Sequence, residues 1–161
     1  MNAGLLFFLA HRTSQCQAKI GRYFGYYGID LANIKVCPKL PGFNPSMAQL
    51  LSALPIVAVV STAEGKRPDC APRLFETLRI PIDLHGNPKG VLQLRGEEKT
   101  GYVIESINQA IVVFPDIPSE IEMMLRPACE RLQKKFSLTG EVPAQLIIPY
   151  EELIEKAMNS K

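Results

Sequence analysis

Two uninterrupted, largely β-branched runs constrain this chain most: Ile56-Val57-Ala58-Val59-Val60 and Ile111-Val112-Val113-Phe114. Neither alternates with polar residues, so neither suits a strand with one wet face, and both are too short for a core helix. Each predicts a strand buried on both faces of a parallel sheet. A loop and a helical pattern follow each run. After the first, Asp69 stands at a capping position, Pro72 is tolerable in the first turn, and Ala71, Phe75 and Leu78 share a face. After the second, Pro115-Asp116-Ile117-Pro118 turns into a helix with Ile121, Met124, Leu125, Ala128 and Leu132 on one side, which Pro127 is expected to kink or divide.

Two strand-loop-helix units in a chain of 161 residues, 47% of them hydrophobic, predict one α/β domain over 1-161. The expected fold has three layers: a mostly parallel sheet flanked by helices, with a small β-ribbon. Around the two units, Cys16, Ile20, Phe24 and Tyr27 recur on one helix face, Ser14 and Gln17 have the form of a capping box, and Gly28 suits the left-handed position past the end. Ile29 to Val36 reads as a strand, and Asn44-Pro45 opens a short helix through Leu54. Turn residues around Val91 to Leu94 and Tyr102 to Ile104 predict the ribbon. Ala144 to Ile148 reads as a strand and Tyr150 to Met158 as a helix.

Gly4 to Ala10 is apolar but has no Lys or Arg before it and no small-x-small cleavage site after it, so a buried strand or helix start is expected there rather than a signal sequence. No run approaches the ~20 apolar residues of a membrane-spanning helix. A net charge of +2, with cations scattered among acids, leaves no footprint for nucleic acid. Cys16, Cys37, Cys70 and Cys129 form no Cys-x-x-Cys pair, which predicts free thiols and a cytoplasmic location.

In open α/β sheets ligands bind beyond the carboxyl ends of the strands, which singles out two loops. In the first, Ser61, Thr62, Gly65, Lys66 and Arg67 offer hydroxyls, a free backbone and two cations suited to phosphate, although the Walker A spacing is absent. A solvated loop with incidental charges is the competing reading. Asp69 is either a helix cap or a carboxylate near metal and phosphate, and Glu120 suits the dipole of its helix. Side by side, Asp69, Asp116 and Glu120 would form an oxygen-rich site for a hard divalent cation. His11 and His85 read as surface or turn residues without a catalytic role, and Tyr23, Tyr26 and Tyr27 as packing.

Ile111 to Glu120 (IVVFPDIPSE) with Ile121-Glu122-Met123-Met124 resembles the strand, Pro-Gly-x-Pro turn and Glu-containing helix of the molybdopterin-binding-like domain found in MoaB/Mog proteins, CinA and the N-terminal part of eukaryotic FAD synthase. Val59 to Arg73 (VVSTAEGKRPDCAPR) aligns without a gap on that family's strand and Thr-Gly-Gly-x-Gly-Pro-Thr-x-Asp-Asp-x-Thr-Arg motif, and Ser14 to Leu31, with Gly28-Ile29-Asp30, looks like its first helix and Leu-Gly-Ile-x-Val exit. The resemblance is strongest over 14-132, and the shortened Pro-x-x-Pro-Ser-Glu turn looks most like the CinA branch. Only Gly65, Asp69 and Arg73 survive in the first motif: Thr62 and Ala63 replace paired glycines, Lys66 and Arg67 replace Pro-Thr, and Cys70 replaces an aspartate. Asp116 replaces the later glycine, and the resemblance implies that the family's first strand and its acidic loop are missing or overwritten by Met1 to Ala10.

The resemblance implies a domain that binds a small phosphorylated ligand, a nucleotide or pterin phosphate including molybdopterin. By likeness to CinA it implies hydrolysis of an ADP-ribose-type pyrophosphate bond with a divalent metal such as Mg²⁺ or Co²⁺. Asp69 would then be catalytic and, with Glu120, metal-linked. Ser61, Thr62, Gly65, Lys66, Arg67, Pro115, Asp116, Pro118 and Ser119 would face the ligand. The alternative is a catalytically inactive relative that serves as an oligomerisation or protein-interaction module, with a homo-oligomer as its assembly.

Overall fold

The computed structural model describes residues 1–138; the strand expected at Ala144 to Ile148 and the helix at Tyr150 to Met158 lie outside them. Six strands, β1 (Asn2–Phe8), β2 (Asp30–Cys37), β3 (Ile56–Ser61), β4 (Leu92–Arg95), β5 (Thr100–Glu105) and β6 (Ala110–Pro115), form one sheet in the order β2-β1-β3-β6-β5-β4. The first four in that order run parallel, and β5 is antiparallel to both β6 and β4. The ribbon read from the sequence is therefore not a separate feature: it extends the main sheet.

Both β-branched runs are buried along their whole length, because helices cover both faces. On one face Leu5, Phe7, Ala58, Val60, Val112 and Phe114 pack against α1 (Thr13–Tyr26) and α4 (Pro118–Phe136). On the other, Leu6, Phe8, Val57, Val59 and Val113 pack against α2 (Phe43–Ala53) and α3 (Ala71–Thr77). Successive residues of one strand thus feed different cores, which is why the runs show no alternation.

The first apolar segment proves to be a strand in the middle of the parallel set: β1 lies between β2 and β3. The expectation that the first strand is missing or overwritten is thus corrected: Asn2–Phe8 is a strand, whose burial on both faces hides the alternation that would mark it in the sequence. Pairing of β1 with β2 shifts register between Ala3 and Gly4, which face Leu31 and Asn33 and leave Ala32 without a partner.

Helix starts differ most from the sequence reading. No side-chain cap bond forms at α1, α2 or α3; their cap residues are Arg12, Gly42 and Cys70. Ser14, Asn44 and Asp69 are thus not caps; at α3 the Cys70 N–H bonds the Ser61 hydroxyl instead. Leu78 lies past the end of α3 and is 42% exposed, so it leaves the core face that Ala71, Leu74 and Phe75 form. Pro127 neither divides nor ends α4. It sits on the exposed side, where water can satisfy the carbonyl that its missing N–H leaves free.

Two glycines fix the β4–β5 hairpin against α4. A Cβ on Gly96 would lie 1.6 Å from Glu120 Oε2, and one on Gly101 would lie 2.5 Å from the Val113 carbonyl oxygen.

Candidate functional site

Register builds the site. Phe8 pairs with Cys37 and with Ser61, and Ser61 pairs with Pro115, so β1, β2, β3 and β6 end in one row. The residues that follow, Leu9, Pro38, Thr62 and Asp116, therefore stand side by side and line a cleft of about 750 Å³. From β1 the chain turns to α1 on one face, whereas from β3 it turns to α3 on the other. This divergence is the topological switch at which open α/β sheets bind ligands, and the volume falls within the range of small-molecule sites.

Asp116, only 7% exposed, closes the β6 side. Its Oδ2 accepts the His11 N–H at 2.7 Å, and the Arg12 N–H lies 3.2 Å from Oδ1 and 3.3 Å from Oδ2. The Cys16 thiol also reaches Oδ1 at 3.6 Å, and Arg12 Nη1 donates to the Asp116 carbonyl at 3.3 Å. Asp116 thus holds, from another strand, the turn that leads into α1, with its charge near the positive end of that helix. Burial, and then the neighbouring Asp116 charge and hydrogen bond, push the Cys16 thiol up to about 12.

The β3 loop is held from three sides. Ser61 is buried; its hydroxyl donates to the Thr62 carbonyl and accepts the Cys70 N–H. Asp69 accepts the Thr62 hydroxyl at 3.1 Å and the Glu64 N–H at 3.2 Å. Lys99 Nζ donates to the carbonyls of Ala63 and Gly65 at 3.0 and 2.7 Å. Loss of the paired glycines costs no backbone strain, since Leu9, Arg79 and Ser137 are the non-glycine residues with positive φ among the described residues. A Cβ at Gly65 would meet open space.

Of the residues singled out in the sequence, Thr62, Asp69 and Asp116 line the cleft. Ser61 supports it from beneath, whereas Gly65, Lys66, Pro115, Pro118 and Ser119 are outside its lining. Arg67 points away: its guanidinium bonds Tyr102 and approaches Asn87 Oδ1 at 3.5 Å, under the 83–90 turn. His11, to which no role could be assigned by sequence, lines the cleft with Arg12, Glu64 and Ile117. The signal for these residues is the run Gly4 to Ala10 followed by a helix, a third strand-loop-helix unit.

A resident divalent metal does not fit these residues. Glu120 is 6% exposed and uses both oxygens on the β4–β5 turn, accepting the Glu97 and Glu98 N–H groups at 2.8 Å each. It does not meet Asp69 in the cleft, and the described residues hold no group of three or more His, Cys, Asp or Glu placed to bind a metal. A pterin-sized ligand fits the cleft volume, with His11, Arg12, Thr62, Glu64, Asp69 and Asp116 as its polar lining. Among the described residues no helix is long and apolar enough to cross a membrane.

No family model matches the chain, and no curated protein matches it in sequence. Solved structures do share its fold. CinA from Thermoplasma acidophilum, described as of unknown function, aligns with a TM-score of 0.64 at 13% identity, over 81% of this chain and 97% of that one. MoaB, a molybdopterin biosynthesis enzyme from Thermus thermophilus, aligns with a TM-score of 0.55 at 14% identity, over 83% and 95%. A molybdopterin biosynthesis protein from Mycobacterium abscessus gives 0.56 at 13% identity, over 84% and 96%. The chain therefore has the MoaB/Mog-like fold, and its structural neighbours include the CinA protein towards which its shortened turn points.

Proposed function

We propose that this chain is a ligand-binding domain of the molybdopterin-binding type that holds a pterin or nucleotide phosphate in the cleft beyond β1, β2, β3 and β6, without hydrolysing it. The observation that carries this reading is the cleft itself, aligned by strand register at the switch between β1 and β3 and lined by Thr62, Asp69, His11 and Arg12. Hydrolysis of an ADP-ribose-type bond with Mg²⁺ or Co²⁺ lacks its second metal ligand here, because Glu120 belongs to the hairpin turn. Ligand binding at a hundredfold excess over Kd raises stability by about 2.7 kcal/mol, a shift of several degrees for a chain of this size. The test is a thermal shift with 6-hydroxymethylpterin, its phosphate ester and ADP-ribose, alongside a turnover assay with ADP-ribose and each metal. A shift without turnover is expected. Turnover would restore the pyrophosphatase reading, and the absence of any shift would sink binding.

The interaction-module reading gains from one observation: Lys66 and Arg67, the cations expected at the ligand, do not line the cleft. Self-association that is unchanged by Asp69→Ala in a chain without ligand affinity would favour it.

A further inference from the structure

Successive backbone N–H groups that lead into a helix attract anions, and in this chain the pair just ahead of α1 is already taken. The His11 and Arg12 N–H groups both point at the Asp116 carboxylate, which comes from the turn after β6 and is almost wholly buried. We infer that Asp116 is a built-in anion that shuts ligand phosphate out of the turn leading into α1 and makes the cleft selective for the donor-bearing ring of its ligand. This rests on the ligand-binding reading and specifies which part of the ligand enters.

The charge distribution supports the same assignment. The lining carries three carboxylates, Glu64, Asp69 and Asp116, against the one guanidinium of Arg12, which is itself bonded to the Asp116 carbonyl. Lys99 is engaged by the carbonyls of Ala63 and Gly65, and Arg67 lies on the far side of its loop. Such a lining repels a phosphate and accepts hydrogen bonds from ring or exocyclic N–H groups, as an aminopterin or a nucleobase presents. Thr62 and Asp69 are the acceptors that such an edge would meet. The phosphate of a phosphorylated ligand then remains at the mouth of the cleft.

Titration calorimetry of the full chain at low salt tests this with two probes, inorganic pyrophosphate and 6-hydroxymethylpterin, against the native sequence, Asp116→Asn and Asp116→Ala. The asparagine variant removes the charge and keeps one oxygen within reach of the His11 and Arg12 N–H groups, its NH2 replacing the oxygen that faces the Cys16 thiol, so it serves if the alanine variant does not fold. Pyrophosphate affinity is expected to rise at least tenfold in the variants over the native chain. A smaller rise overturns the inference. So does pyrophosphate binding that is equal in all three and abolished by Lys66→Ala, which would put the anion on the β3 loop. Failure of the pterin to bind the native chain counts against the proposed function alone, because the pyrophosphate comparison is read without it.

Discussion

Glu120 and Gly96 are expected to behave as one unit. The Glu120 carboxylate accepts two backbone N–H groups of the β4–β5 turn at 2.8 Å each, in the space that a side chain at position 96 would fill. Hydrogen bonds to a charged group contribute about 1.5–3 kcal/mol each. Here Glu97 and Glu98 are exposed, so water can satisfy their N–H groups once the carboxylate has gone. The cost of Glu120→Ala is therefore about 2 kcal/mol rather than about 5. Gly96→Ala expels the same carboxylate, whose Oε2 would lie 1.6 Å from the new Cβ, and so loses the same two bonds at a similar cost of about 2 kcal/mol. With Glu120 already truncated, the new methyl meets chiefly the Lys99 carbonyl at 3.2 Å, a contact that a small shift relieves. The double variant should thus lose about 2–3 kcal/mol, not about 4, which leaves a coupling energy of about 1–2 kcal/mol. Urea unfolding of the four proteins measures it, and each single variant should melt about 6 °C lower. Losses that add within about 0.5 kcal/mol would refute the clamp and release Glu120 for another role.

Lys99→Met removes two bonds to the β3 loop while keeping most of the apolar stem, so trypsin should cut faster after Lys66; an unchanged rate would show that the loop is held without it. Arg79 is exposed with φ 55° just past α3, so Arg79→Gly should stabilise the chain by about 0.5–1 kcal/mol, read as a raised urea midpoint. Burial pushes the thiols of Cys16 and Cys70 up to about 12 and raises that of Cys129 as well. The unfolded chain gives up these protons near pH 8.5. Stability is therefore intact below that pH and falls as pH climbs towards 12, by up to about 1.4 kcal/mol per unit for each thiol. Urea midpoints between pH 8 and 10.5 should show the fall, and Cys70→Ala should make it shallower; a flat profile in the native chain would contradict it.

Local signals carried the fold. The runs at Ile56 and Ile111 needed only their β-branched composition to be read as buried strands, and the face of α4 only its spacing. The run at Gly4 was ambiguous between strand and helix, because a strand covered on both faces shows neither period. With β1 undecided, His11 and Arg12 could not be placed at a strand end. The roles of the carboxylates depended on register rather than on sequence neighbours. Asp116 faces α1 because β6 ends level with β1 across β3, and Glu120 faces the hairpin because β5 pairs with β6. Asp69 stands where a cap would stand, yet its partners are Thr62 and Glu64, which only the folded loop brings round to it.

Among the described residues β2 is an outer strand of the sheet, with Ile34 and Val36 40% and 64% exposed. A flat, apolar outer strand invites pairing with another chain. Ala32, left out of step with β1, breaks the regular spacing of N–H and C=O groups midway along that border, and Lys35 adds a charge beside it. An incoming strand in register with one half of β2 would lose register with the other. Deleting Ala32 would restore an even border, and light scattering should then show association that grows with protein concentration.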